Sequence, residues 1–156
     1  MRSITVILSA VAGSAALFAA AAGTPPGLSV TDAWARATPP GTAVAAVYLV
    51  IDNTGGEVDR LLAVSTDRAG SAEVHTIIHE GDLAMMRRVD PLHVGAGERI
   101  VFEPGGTHVM LMELKSPLAE GQSLTLVMNF ERAGVRRVEA RVLAATSIPQ
   151  AAGHHH

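Results

Sequence analysis

Two residue types in this sequence could do chemistry together. The chain has seven His and six Met, and no Cys. Imidazole and thioether are both metal donors. The lack of Cys rules out disulfides, thiolate zinc sites, iron–sulfur clusters and Cys nucleophiles. A soft-metal site in this chain must therefore be built from Met and His. Most of these residues lie between positions 75 and 112: His75, His79, Met85, Met86, His93, His108, Met110 and Met112.

The local pattern sorts them by face. His108-Val109-Met110-Leu111-Met112 alternates, and in a strand alternate side chains share a face. Val109 and Leu111 then suit the core, which leaves His108, Met110 and Met112 on the outward or rim face. Burying a Met side chain gains about 1.5–3 kcal/mol, so two outward Met need a reason. Val74-His75-Thr76-Ile77 also alternates, with His75, Ile77 and His79 on one parity, and the Gly81-Asp82 turn folds Met85-Met86 back beside them. Two neighbouring hairpins could thus bring His75, Met86, His108 and Met110 together. Thioether and imidazole without carboxylate favour Cu(I), whereas zinc and calcium call for thiolates or carboxylates. A blue-copper electron carrier needs a Cys thiolate, which is absent. Asp32, Glu73, Glu80 and Asp82 form no recognisable acid/base pair by spacing, so the chain does not read as an enzyme.

The four residues are spaced as H-x10-M-x21-H-x-M. This pattern resembles that of the periplasmic copper chaperones of the PCuAC family. Three surrounding stretches are similar to that family as well: Asp32 to Gly41, Tyr48 to Asn53, and Glu103 to Met112. The resemblance spans roughly residues 28–143. It implies a cupredoxin-like Greek-key β-sandwich that holds Cu(I) through His75, Met86, His108 and Met110. It also implies delivery to the copper-site subunit of cytochrome c oxidase or to its assembly factors. The alternative is copper sequestration or resistance without a dedicated acceptor. Family members often carry another Met near the first ligand pair, where this chain has His79 and Met85. His79 reads as a turn histidine or, alternatively, as a nitrogen donor to Cu(II), and the tail His154-His155-His156 as a loose Cu(II) site or part of a purification tag.

The elements that must position these residues are strands. The expected segments are Leu28–Arg36, Val44–Ile51, Leu61–Val64, Ala72–Ile78, Leu83–Val89, Arg99–Phe102, His108–Leu114, Leu124–Phe130 and Val135–Leu143, divided by Gly-, Pro- and Asn-containing turns. No stretch keeps a helical period for three turns. The expectation is a single all-β, antiparallel sandwich over residues 28–145. Trp34 and Met128 are expected in the core, Met85 opposite Met86 on the core side, Met112 packed around the metal, and His93 in an exposed loop.

Residues 1–22 open with Met1-Arg2-Ser3, continue as an uncharged apolar run and end in Ala20-Ala21-Ala22. This is the pattern of a cleaved secretory signal, and no Cys follows it to carry a lipid. Residues 23–27 read as a linker and residues 146–156 as an unpaired His-containing tail. The reading places the mature protein in the periplasm, without stable membrane insertion. Only 17% of residues are charged, and the formal net charge is −3. With no Lys/Arg run, nucleic acid is not an expected partner.

Overall fold

Alternating burial is the main organiser of the chain. In Ser123–Phe130, Leu124, Leu126, Met128 and Phe130 are buried, while Ser123, Thr125 and Asn129 are exposed. In His108–Leu114, Val109 and Leu111 are fully buried. Each such apolar side chain contributes about 1.5–3 kcal/mol relative to an exposed position. Period-two patterning of this kind fixes register, because a one-residue slip would turn every core side chain outward.

The computed structural model describes residues 27–147. The expected signal segment 1–22, most of the linker and the His154–His156 tail lie outside the described residues. Among the described residues ten strands follow in order: β1 (Leu28–Arg36), β2 (Val44–Asn53), β3 (Asp59–Ser65), β4 (Ala69–Glu80), β5 (Leu83–Arg88), β6 (Leu92–Val94), β7 (Arg99–Val101), β8 (His108–Leu114), β9 (Ser123–Phe130) and β10 (Gly134–Leu143). Among the described residues there is no helix, and so none long and apolar enough to cross a membrane.

The all-β class is as expected, but the sheet is more continuous than two separate layers. Its order is β5-β4-β8-β2-β1-β10-β9-β3-β6, and β7 pairs with β2. A further pairing of β3 with β4, Val64 opposite Ala72, closes β4-β8-β2-β1-β10-β9-β3 into a ring. This barrel encloses one core, lined by Val47, Leu49, Ile51, Val109, Leu111, Leu126, Met128, Ala140 and Val142 among others. All pairs are antiparallel except β1 with β10, which is parallel. Closure leaves few free edges. Among the described residues, β5 is one of them, because it pairs only with β4.

One expectation is overturned by a bulge. The β1–β2 register shifts between Thr31 and Trp34, with Asp32 at φ 53°. The extra residue reverses the inward parity from Leu28 and Val30 to Ala35. Trp34 is therefore only half-buried and faces outward beside Tyr48. His93 lies in β6 opposite Arg60 rather than in a loop, though it is exposed as expected. Met128 is fully buried.

Candidate functional site

The β4–β8 register sets His75 directly opposite His108. Their ring centroids are 6.2 Å apart, with planes inclined at 61°. Met110 lies opposite Glu73, one two-residue step along the same face, and Met112 lies opposite Ser71. On the other flank of β4, Arg88 stands opposite His75 and Met86 opposite Ile77. His75, Met86, His108 and Met110 thus occupy one outward face of β5, β4 and β8. His75 faces His108, Met110 lies two residues along β8 from His108 and diagonal to His75, and Met86 is diagonal to His75 on the other flank of β4. His108 is 5% exposed and Met86 is 51% exposed, so the donors run from a buried centre to an open edge. Met112 shares the face and is half-buried. Met85, opposite Ile78, has the expected opposite parity, but it is only half-buried and lies outside the core cluster. His79, opposite Ala84, is exposed on the ligand face.

Hydrogen bonding decides which ring nitrogens remain available. The Nδ1 of His108 lies 3.0 Å from the carbonyl oxygen of Gly106. A carbonyl only accepts, so Nδ1 carries the proton and Nε2 keeps its lone pair. The turn that supplies this carbonyl depends on Gly105, whose φ of 82° is strained for other residues. The Nε2 of His75 donates to Glu73 Oε2 at 3.0 Å. Its Nδ1 is then the lone-pair nitrogen, and this atom is buried with no hydrogen-bond partner among the described residues. A buried polar atom left unpaired costs about 1–3 kcal/mol, which a ligand at that nitrogen would offset. Glu73 is held in turn by Arg88 at 3.0 Å, and Arg88 also pairs with Asp90 at 2.9 Å. A carboxylate that orients a histidine from behind is a recurrent support in metal sites.

An aromatic row borders the pair. Tyr48 lies beside His108 with ring centroids 6.5 Å apart, and Trp34 lies 4.5 Å from Tyr48. The Arg36 guanidinium sits 5.9 Å above the Trp34 ring. Burial pushes the Tyr48 phenol above its ordinary pKa, and the Arg36 charge partly opposes this. Thr76 and Thr107 hydroxyls share a hydrogen bond of 3.1 Å, which ties β4 to the turn before β8.

The donor set consists of two imidazoles with free nitrogens and two thioethers. Among the described residues, no group of three or more His, Cys, Asp or Glu is placed to hold a metal. Imidazole and thioether are soft to borderline donors, so a soft monovalent ion fits these residues better than a hard cation does.

A family model described as "Putative lipoprotein LpqE-like" matches residues 28–142. The chain belongs to the LpqE-like family. This LpqE-like chain is 31% identical over 137 residues to "Putative lipoprotein Lxx21020" of Leifsonia xyli subsp. xyli, across 83% of this chain and 81% of that one. The copper-bound PCuAC domain from PmoF2 shares its fold with a TM-score of 0.63 and 26% identity, across 75% of this chain and 92% of that domain. The solution structure of the Cu(I) form of DR1885 from Deinococcus radiodurans matches with a TM-score of 0.63 and 29% identity, across 80% of this chain and 83% of that one.

Sequence reasoning misses the residues that support the histidine pair. Glu73 lacks an acid/base partner by spacing, although it shares parity with His75 two positions on. That spacing was a usable sign. Arg88 and Tyr48 carried no comparable sign, because their roles depend on cross-strand register.

Proposed function

We propose that this protein is an exported copper carrier that binds Cu(I) through His75, Met86, His108 and Met110. The observation that carries the reading is the His75–His108 pair: two facing imidazoles, each with one nitrogen engaged and one free, flanked by thioethers on the same face. Two structural neighbours bear copper in their names, which supports the same reading. Thioether sulfurs carry no proton to lose, and a half-exposed Met can be displaced by an incoming donor without unfolding the barrel. That suits carriage and hand-over rather than catalysis. Delivery to the copper site of cytochrome c oxidase during assembly is the destination we propose. The apolar, small-residue segment 1–22 supports export to the periplasm.

Titration under reducing conditions against a Cu(I) chelator tests the binding. Wild type should outcompete a weak chelator, and His108→Ala with Met110→Ala should not. Unchanged affinity in that double variant would overturn the assignment. Transfer from loaded protein to an apo oxidase copper domain tests delivery, and failure to transfer would leave sequestration as the function.

A further inference from the structure

We propose that His79 and Met86 form an outer Cu(I) loading site on the β4–β5 hairpin, from which the ion passes to His75, His108 and Met110. This rests on the copper reading above and assigns a role to a histidine that the four-donor site leaves unused.

The register carries the proposal. His75, Ile77 and His79 share one face of β4, and Met86 stands opposite Ile77, midway between the two histidines. His75 and His79 are four residues apart, or about 13 Å at 3.3–3.4 Å per residue, too far to hold one ion together. Met86 is diagonal to both, at the separation that long side chains span between paired strands. Its side chain is unbranched with three rotatable bonds, and at 51% exposure packing does not fix it. Met86 and Met110 lie on opposite flanks of β4, offset by four residues along it. The two thioethers therefore approach the histidine pair from opposite sides. Met86 is on the free edge, where an ion from solvent arrives first. His79 is exposed and makes no side-chain hydrogen bond among the described residues, so its ring is available there.

The step is a ligand exchange without redox change. Cu(I) bound by His79 and Met86 keeps its bond to the Met86 sulfur while the bond to His79 breaks and one to His75 Nδ1 forms. Bonds to His108 and Met110 complete the transfer. No electron moves, and one copper–nitrogen bond replaces another.

The test uses the full chain with the Cu(I)–bathocuproine disulfonate complex as donor, mixed rapidly without oxygen. His79→Gln should slow both loading and chelator-driven removal about tenfold, equivalent to about 1.4 kcal/mol of barrier, with equilibrium affinity unchanged. His79→Met should restore the rates, since a thioether replaces the lost donor. Unchanged rates in His79→Gln would overturn the proposal. So would a fall in equilibrium affinity, which would make His79 a resident ligand. His108→Ala separates the two levels. If it abolishes tight binding while His79→Gln leaves the rates unchanged, the outer site fails and the carrier reading stands. If His108→Ala keeps full affinity, the carrier reading fails and the loading site with it.

Discussion

Removing the carboxylate behind His75 should weaken copper binding although Glu73 contributes no donor. Glu73 accepts the Nε2 proton of His75 at 3.0 Å and is itself paired with Arg88 at 3.0 Å. Side-chain exposures of 16% for His75 and 26% for Glu73 place the bond mostly out of water, so solvent screening is limited. In Glu73→Gln the amide oxygen can still accept that proton, so the ring orientation survives and only the charge is lost. In Glu73→Ala both are lost, and Nδ1 and Nε2 become equivalent choices for the proton. Supporting groups of this kind are worth about 10- to 100-fold in metal affinity. We expect Gln near the lower bound and Ala near the upper, or about 1.4 and 2.7 kcal/mol. The assay is anaerobic chelator competition, combined with nitrogen-15 spectra of the imidazoles in the metal-free protein. Those spectra should show His75 protonated at Nε2 in wild type and mixed in Glu73→Ala. Wild-type affinity in both variants, or His75 protonated at Nδ1 in wild type, would refute the reasoning.

Other consequences are open to direct measurement. Burial raises the Asp59 carboxyl, but backbone N–H bonds from Arg132, Ala133 and Arg60, with the Arg132 charge, bring it net below its ordinary value. Its stabilisation is complete above the ordinary Asp range and lost as pH falls through the lowered value. Asp59→Asn should therefore flatten the acid limb of denaturant-measured stability, and an unchanged slope would count against this. Tyr48 is the sole Tyr, so alkaline ultraviolet titration reads it alone. Ionisation should occur above the ordinary tyrosine range, and higher still in Arg36→Ala, where the opposing charge is gone. Leu111→Ala, at a fully buried position behind the ligand face, should cost about 2–5 kcal/mol of stability by chemical denaturation. Mild peroxide should oxidise Met86 before the fully buried Met128 and weaken Cu(I) binding, because the sulfoxide loses the soft donor. Peptide mass spectrometry alongside titration checks both parts.

Much of the barrel was legible because its strands alternate cleanly. The bounds expected for β1 and β8 coincide with those observed, and the outward set His108, Met110 and Met112 follows from Val109 and Leu111 turning inward. Pairing was less legible. A two-residue slip of β4 along β8 would keep every residue on its face yet set His75 against Met110, and alternation cannot distinguish the two registers. The β3–β4 closure joins strands through a single matched pair, Val64 and Ala72, which leaves no pattern to read. Three-residue β6 is too short for periodicity to show. Alternation alone misplaces Trp34, because one left-handed residue, Asp32, reverses parity midway through an otherwise regular strand. Glu73 was recognisable as a neighbour of His75, but the choice between solvent and imidazole depends on Arg88 across the hairpin.

The bulge at Asp32 has an optical consequence. It turns the chain's lone tryptophan out of the barrel and onto Tyr48, whose ring borders His108. The indole thus lies two strands from the histidine pair, within range of excited-state quenching by a metal held there. No label needs to be attached to watch this site fill and empty: its emission, excited apart from the single tyrosine, should follow occupancy in real time.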